Sequence, residues 1–145
     1  MAKVSARIAL SLCLLAVLFG ACRRDLRSAQ GVVEEFVDQH YVRINLQKAK
    51  EYSVGIALEK INDEIRLTSG QVIDATTRKP GVHYRLLEKK EGERRASFLY
   101  EGTIRAEDAP EFKRRWLIAA RKEADQWRVS NFTEYEWPGF SEMES

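Results

Sequence analysis

An α+β domain, helices first and an antiparallel sheet after them, is the fold class this sequence predicts. Three features carry that expectation. Between Val32 and Ile44 apolar residues recur three and four apart, the spacing of one helix face. Beyond Gly70 the period drops to two, the alternation of a half-buried strand. Short polar stretches, one centred on Gly92 and one broken by Pro110, separate the alternating runs at hairpin distances.

The elements follow in chain order. Residues 1–21 read as a secretory signal. Lys3 and Arg7 make a positive start, Ile8 to Phe19 is an apolar core interrupted by Ser11, and Gly20 and Ala21 are small residues suited to cleavage. A spanning helix needs roughly 20 apolar residues, so this run is short for a permanent anchor. Arg23 and Arg24 end it. Cys22 stands at the cut, and Phe19-Gly20-Ala21-Cys22 is similar to the bacterial lipobox, in which the cysteine becomes the first mature residue and carries lipid. The usual leucine three before the cysteine is Phe19 here. The competing reading is a plain signal with an incidental cysteine. The lipobox resemblance implies acyl chains such as palmitate on Cys22, and several chains hold firmly because each buried methylene adds about 0.8 kcal/mol. Arg23 differs from the Asp that resembles an inner-membrane retention signal. The implied address is therefore the bacterial cell envelope, on the periplasmic side of the outer membrane.

The other cysteine, Cys13, lies inside the apolar run, and none follows Cys22. A disulfide within the body and a cysteine-based zinc site are thereby excluded. The formal net charge of +2 comes from the leader: without residues 1–21 the chain has 22 basic and 22 acidic residues. A neutral mature chain gives no argument for a nucleic-acid partner.

Residues 22–30 are polar and read as a tether, 31–136 as the α+β domain and 137–145 as a loose acidic tail. Ser28 suits the N-cap of the first helix, and Glu34, Glu35 and Asp38 follow near its start. A second helical stretch covers about Leu46 to Leu67, with a break expected at Ser53-Val54-Gly55 and an end at 68–70. Residues 75–81 are loop. Four strands follow, at His83 to Lys89, Ala96 to Arg105, Phe112 to Arg121 and Trp127 to Tyr135. Turns at 90–94 and 122–126 join the outer pairs.

This layout resembles the nuclear transport factor 2-like (cystatin-like) superfamily. The residues that carry the resemblance are the first helix "VVEEFVDQHYVRIN", the second helical segment, and the closing hairpin "ADQWRVSNFTEYE". It covers about residues 28–136. The resemblance implies a curved antiparallel sheet wrapped against N-terminal helices, a cone with room for a pocket. Some members are isomerases or dehydratases and many are non-catalytic, so the fold alone licenses no activity.

Candidate chemistry is sparse. His40 lies on or beside the apolar stripe, and Asp38 two residues earlier points elsewhere on a helix. His83 opens a strand. No His-x-His or Glu-x-x-His spacing occurs, so no metal is expected, and no cofactor either. A base in the cone would have to come from Asp38, His40, Tyr84, Tyr100 or Tyr135, and no motif joins them, so no catalytic residue is assigned. Aromatics concentrate in the strands, which suits a core and also an apolar pocket. His40, Tyr84, Tyr100, Trp116 and Trp127 are the candidate pocket residues. Residues 71–133 hold 14 basic and 10 acidic residues, a solvated face with cross-strand pairs or a surface for anionic material. The expectation is a lipid-anchored, non-catalytic binding or assembly domain, pairing with a second copy or another envelope protein. The alternatives are an isomerase-like or dehydratase-like enzyme and a carrier of a small apolar ligand.

Overall fold

Ser28 sets the start of the helical layer. Its hydroxyl oxygen accepts from the Gly31 N–H at 3.0 Å, satisfying one of the open donors of the first turn. In the computed structural model, which describes residues 23–71 and 78–136, α1 then runs over Ala29–Val37. Its stripe of Val32, Val33, Phe36 and Val37 is buried, as the spacing predicts. The leader with Cys22, residues 72–77 and the tail from 137 lie outside the described residues.

The stripe continues past Val37, but the α-helix does not. Asp38–Val42 forms a π-helical turn, closed where the Arg43 N–H donates to the Asp38 carbonyl at 2.8 Å. Wider turns of this kind admit one more residue per turn and occur often at functional sites. The chain leaves through Ile44 at φ 54°, a left-handed conformation that a β-branched residue rarely adopts.

The expected break in the second helical stretch is present. α2 (Leu46–Glu51) is capped by Asn45, whose side-chain oxygen accepts from the Lys48 N–H, and α3 (Gly55–Leu67) follows. Gly55 sits at φ 55°, where glycine carries no steric penalty. The break serves the sheet. The Val54 N–H donates to the Val129 carbonyl at 2.9 Å and the Val129 N–H to the Tyr52 carbonyl at 2.8 Å, so Ser53 pairs with Val129 in a parallel bridge.

Four antiparallel strands stand in the order β1-β2-β3-β4, in a sheet that is not closed: β1 (Gly81–Glu91), β2 (Arg95–Arg105), β3 (Phe112–Glu123) and β4 (Gln126–Glu136). Most ends reach a residue or two beyond the sequence-based bounds, which is where boundaries are least defined. The last turn is tighter than 122–126, because only Ala124 and Asp125 stand between the strands. Their φ values of 47° and 60° match the primed turns that suit strand twist. Bulges shift the register between Leu86 and Glu88 in β1, and opposite Ala119/Ala120 in β4.

Alternation then sorts the residues. The inner face buries Ala96, Phe98, Tyr100, Trp116, Ile118, Ala120, Trp127, Val129 and Phe132 against the helices. The observed architecture is the expected α+β, with helices before the sheet. Gly102 has a particular part in it. A Cβ at this position would collide with the Trp116 ring, 2.3 Å from its nearest atom. Trp116 is 1% exposed and has no room to retreat. Gly102→Ala is therefore expected to cost about 1–3 kcal/mol by overpacking, read as a loss of denaturation midpoint.

Candidate functional site

The π turn brings His40 and Tyr41 side by side, with ring centroids 4.2 Å apart and nearly perpendicular planes. His40 lies parallel to Phe36 at 5.4 Å and close to Phe132 at 5.0 Å. Tyr41 stacks flat on Trp116, centroids 4.0 Å apart and planes 9° from parallel. Tyr84 continues the array, 6.4 Å from Trp116 and 5.7 Å from Tyr100. Four of the candidate pocket residues, His40, Tyr84, Tyr100 and Trp116, are thus joined in one aromatic array. Trp127 is not part of it. It lies six ladder positions from Trp116, about 20 Å along the strands, with the Lys122 ammonium 5.5 Å over its ring. Of the other residues considered for a base, Asp38 pairs with Arg43 at 2.9 Å and Tyr135 faces out on the other side of the sheet. They do not converge with His40.

The partner of His40 is Glu64 on α3. Nε2 and Oε2 are 2.7 Å apart. The sequence gives no hint of this pair, because 24 residues separate the two and no short spacing marks it. A hollow of about 370 Å³ opens beside them, lined by His40, Tyr41, Ile44, Leu46, Glu64 and Thr68.

What this arrangement can do chemically follows from where its polar atoms are. A general base must reach a substrate proton with a free nitrogen at about 2.6–3.2 Å. His40 Nε2 is committed to Glu64, and Nδ1 is buried with no hydrogen-bond partner in the protein. The pair joins the π turn to α3. The Tyr41 and Tyr100 hydroxyls are likewise buried and unpartnered. Burial raises the pKa of each far above the usual phenol value, Glu134 adding to the effect at Tyr41 and Glu34 at Tyr100, so both stay neutral. Burial also raises Tyr84, against the opposing pull of the Arg24 guanidinium. At the open end of the array the Trp116 indole N–H donates to Glu134 at 3.2 Å, and Arg114 holds that carboxylate at 2.9 Å. Among the described residues no three His, Cys, Asp or Glu side chains gather as a metal site, and no helix is long and apolar enough to cross a membrane.

The outer face of the sheet carries Thr103, Lys113, Leu117, Thr133 and Tyr135, with Leu117 and Tyr135 exposed. Glu101 lies among them under two cationic side chains, Arg85 at 3.0 Å and Lys113 at 3.3 Å. Loss of hydration pushes its carboxyl up, and the two cations outweigh that and hold it below the usual range. The basic clusters of 71–133 are spread in the same way, Arg78 on Glu107, Arg105 on Glu111 and Arg114 on Glu134. Cross-strand and loop pairing absorbs much of the local excess.

No family model and no curated protein matches this sequence. Solved structures do. A protein described as a calcium/calmodulin-dependent protein kinase type II association domain, from Thiobacillus denitrificans, matches with a TM-score of 0.60 and 11% identity. The match covers 77% of this chain and 96% of that one. This likeness is one of fold, helices packed on an open antiparallel sheet. A SEC-C motif containing protein from Rhodopseudomonas palustris matches with a TM-score of 0.54 and 16% identity over 76% of this chain and 80% of that one. At such identities the shared property is the fold alone. Around Trp116 the space between helices and sheet is taken up by the chain's own rings.

A packing role for His40 has a direct test. His40→Ala is expected to lose about 2–3 kcal/mol by opening a cavity between Phe36 and Phe132. His40→Phe, which keeps the ring and removes the unpartnered Nδ1, is expected to hold wild-type stability within about 1 kcal/mol. Thermal melts of the two variants check this. A His40→Phe protein as unstable as His40→Ala would show that the Glu64 bond, and not the ring, carries the site.

Proposed function

We propose that this chain is a lipid-anchored cell-envelope protein whose domain binds or assembles and does not catalyse. The observation that carries the non-catalytic half is the state of His40, whose one nitrogen is spent on Glu64 and whose other is sealed inside the protein. The aromatic array supports the same reading. Tyr41 lies flat on Trp116 between the helices and the sheet, and Tyr100, the register partner of Trp116, is 1% exposed. With the rings packed around Trp116, the surface is the place of contact, and the outer sheet face is one such surface. Leu117, Tyr135, Thr103 and Thr133 make it partly apolar, while Arg85–Glu101–Lys113 gives it a patterned charge. A second copy of this chain or another envelope protein is the partner class.

The anchor half rests on the lipobox-like Phe19-Gly20-Ala21-Cys22 and the neutral chain after it. The carrier reading has less support, since the hollow beside His40, about 370 Å³, sits at the low end of the 300–1,000 Å³ of typical ligand sites and is open at the surface.

Expression with labelled palmitate and membrane fractionation tests the anchor. Wild type is expected in the membrane fraction with label, and Cys22→Ser in the soluble fraction without it. Identical fractionation and mobility of the two would overturn lipid attachment. For the domain, sedimentation of the detergent-solubilised protein is expected to show a mass that falls to monomer with Leu117→Arg. A mass unchanged by Leu117→Arg would remove the outer face from the proposal.

A further inference from the structure

Between the lipid-bearing position and the domain there is very little slack. Read as a flexible tether, residues 22–30 would let the domain wander by about 15–18 Å, the root-mean-square span of a nine-residue random coil. The structure gives that segment a different character. Arg24 is fixed at three points drawn from both layers of the fold. Its Nη1 donates to Glu35 Oε2 of α1 at 2.9 Å and lies 3.5 Å from Asp38 Oδ2 of the π turn. Its Nη2 donates to the Tyr84 hydroxyl of β1 at 3.1 Å. The backbone behind it is also held. The Ser28 N–H and hydroxyl both donate to the Asp25 carbonyl, at 3.1 and 2.8 Å, and that carbonyl lies so close over Gly31 that a Cβ there would collide with it.

Arg24 is two residues after Cys22. Whatever conformation Cys22 itself takes, covalent geometry keeps its Cα within about 7 Å of the Arg24 Cα. Lipid on Cys22 would bring the bilayer surface to that distance from a point tied to the domain through Glu35, Asp38 and Tyr84.

The surface around that point is suited to phospholipid headgroups. Arg23, Leu26 and Arg43 border the same shallow depression as Arg24, and all three are exposed, Leu26 by 46%. Arg27 adjoins them, exposed and paired with Asp25. Arg43 also holds Asp38, so the two carboxylates under Arg24, Glu35 and Asp38, are covered by guanidinium groups and not presented outward. Burial raises the Glu35 carboxyl, and the Gln39 amide and Arg24 guanidinium outweigh it and keep Glu35 ionised. An exposed leucine among arginines is the combination that an interface of acyl chains and anionic headgroups accepts. α3, by contrast, packs on β4, the sheet edge opposite β1, and its residue Asn62 is exposed there.

We propose that Arg24 locks the domain to its lipid anchor in one orientation, with the face of Arg23, Leu26 and Arg43 against the anionic surface of the membrane. This rests on the lipid attachment proposed above. The partner is a bilayer carrying anionic phospholipid headgroups.

The full-length lipidated protein, reconstituted in phosphatidylethanolamine vesicles with and without phosphatidylglycerol, gives the test. Lipid on Cys22 leaves an introduced cysteine as the only free thiol, so a nitroxide can be placed on Leu26→Cys or on Asn62→Cys. Collision with a water-soluble nickel chelate is then measured. With phosphatidylglycerol, the label at 26 is expected to relax several-fold less than the label at 62. Adding Arg24→Gln should bring that ratio toward one, and omitting phosphatidylglycerol should reduce it. Equal relaxation at 26 and 62 with Arg24 intact would overturn the locked orientation, and a ratio indifferent to phosphatidylglycerol would overturn the headgroup contact. Flotation of the same vesicles separates the two levels of failure. Protein that does not float overturns the anchor and the orientation with it, whereas protein that floats with equal relaxation overturns the orientation alone.

Discussion

Stacking of Tyr41 on Trp116, across a position that only glycine can occupy, is the contact on which the rest of the domain depends. It joins the helical layer to the centre of the sheet, and both sides are shaped to permit it. The π turn at Asp38–Val42 delivers Tyr41 to the sheet and His40 to the neighbouring gap between Phe36 and Phe132. On the sheet side, Gly102 leaves space under the indole, and Glu134 accepts its N–H. Aromatic pairs of this kind add about 0.5–1.5 kcal/mol each beyond the area they bury. The strain of Ile44 in the left-handed region, of order 1–3 kcal/mol, is the size of term such contacts can offset.

Charge has a different place in the structure. Most ion pairs are at the surface, where each is worth about 0–1 kcal/mol. Their contribution is geometric. Arg85 and Lys113 bring Glu101 to rest on the outer face, Arg114 fixes the carboxylate that holds Trp116, and Arg24 ties the start of the described chain to α1, the π turn and β1. Because Glu35 and Glu101 are held below the usual carboxyl range, the stability they lend is complete above ordinary carboxyl pKa values. It fades as pH falls through their lowered ones.

The layout was legible from residue patterning because patterning reports burial. The stripe of α1, the alternation of β2 from Ala96 to Ile104 and the break at Ser53-Val54-Gly55 all follow from which side chains meet the core or which backbone cannot stay helical. The same logic could not show the π turn, since His40, Tyr41 and Ile44 fit an α-helical stripe as well as a π turn; the difference lies in backbone hydrogen bonds. Nor could it show Glu64 on His40, or Arg24 on Tyr84, 60 residues away. These depend on which elements the fold brings together. Tyr84, Tyr100 and Trp116 share one array because alternation placed them on the inner face, and the π turn adds His40 to it. Trp127 shares that face, and only the strand length separates it from the others.

The parallel bridge between Ser53 and Val129 bears on how such domains can meet. An open sheet has two edges, and an unpaired edge invites a strand from another molecule. At β4 the Tyr52 carbonyl and the Val54 N–H already occupy the positions around Val129 that an incoming strand would use. At β1 the register slips at Leu87, and the strand ends in Glu88, Lys89, Lys90 and Glu91, a bulged and charged border that pairs poorly with a flat partner. Growth of the sheet from domain to domain is disfavoured on both sides, so copies brought close together would meet through side-chain surfaces and separate again without exchanging backbone.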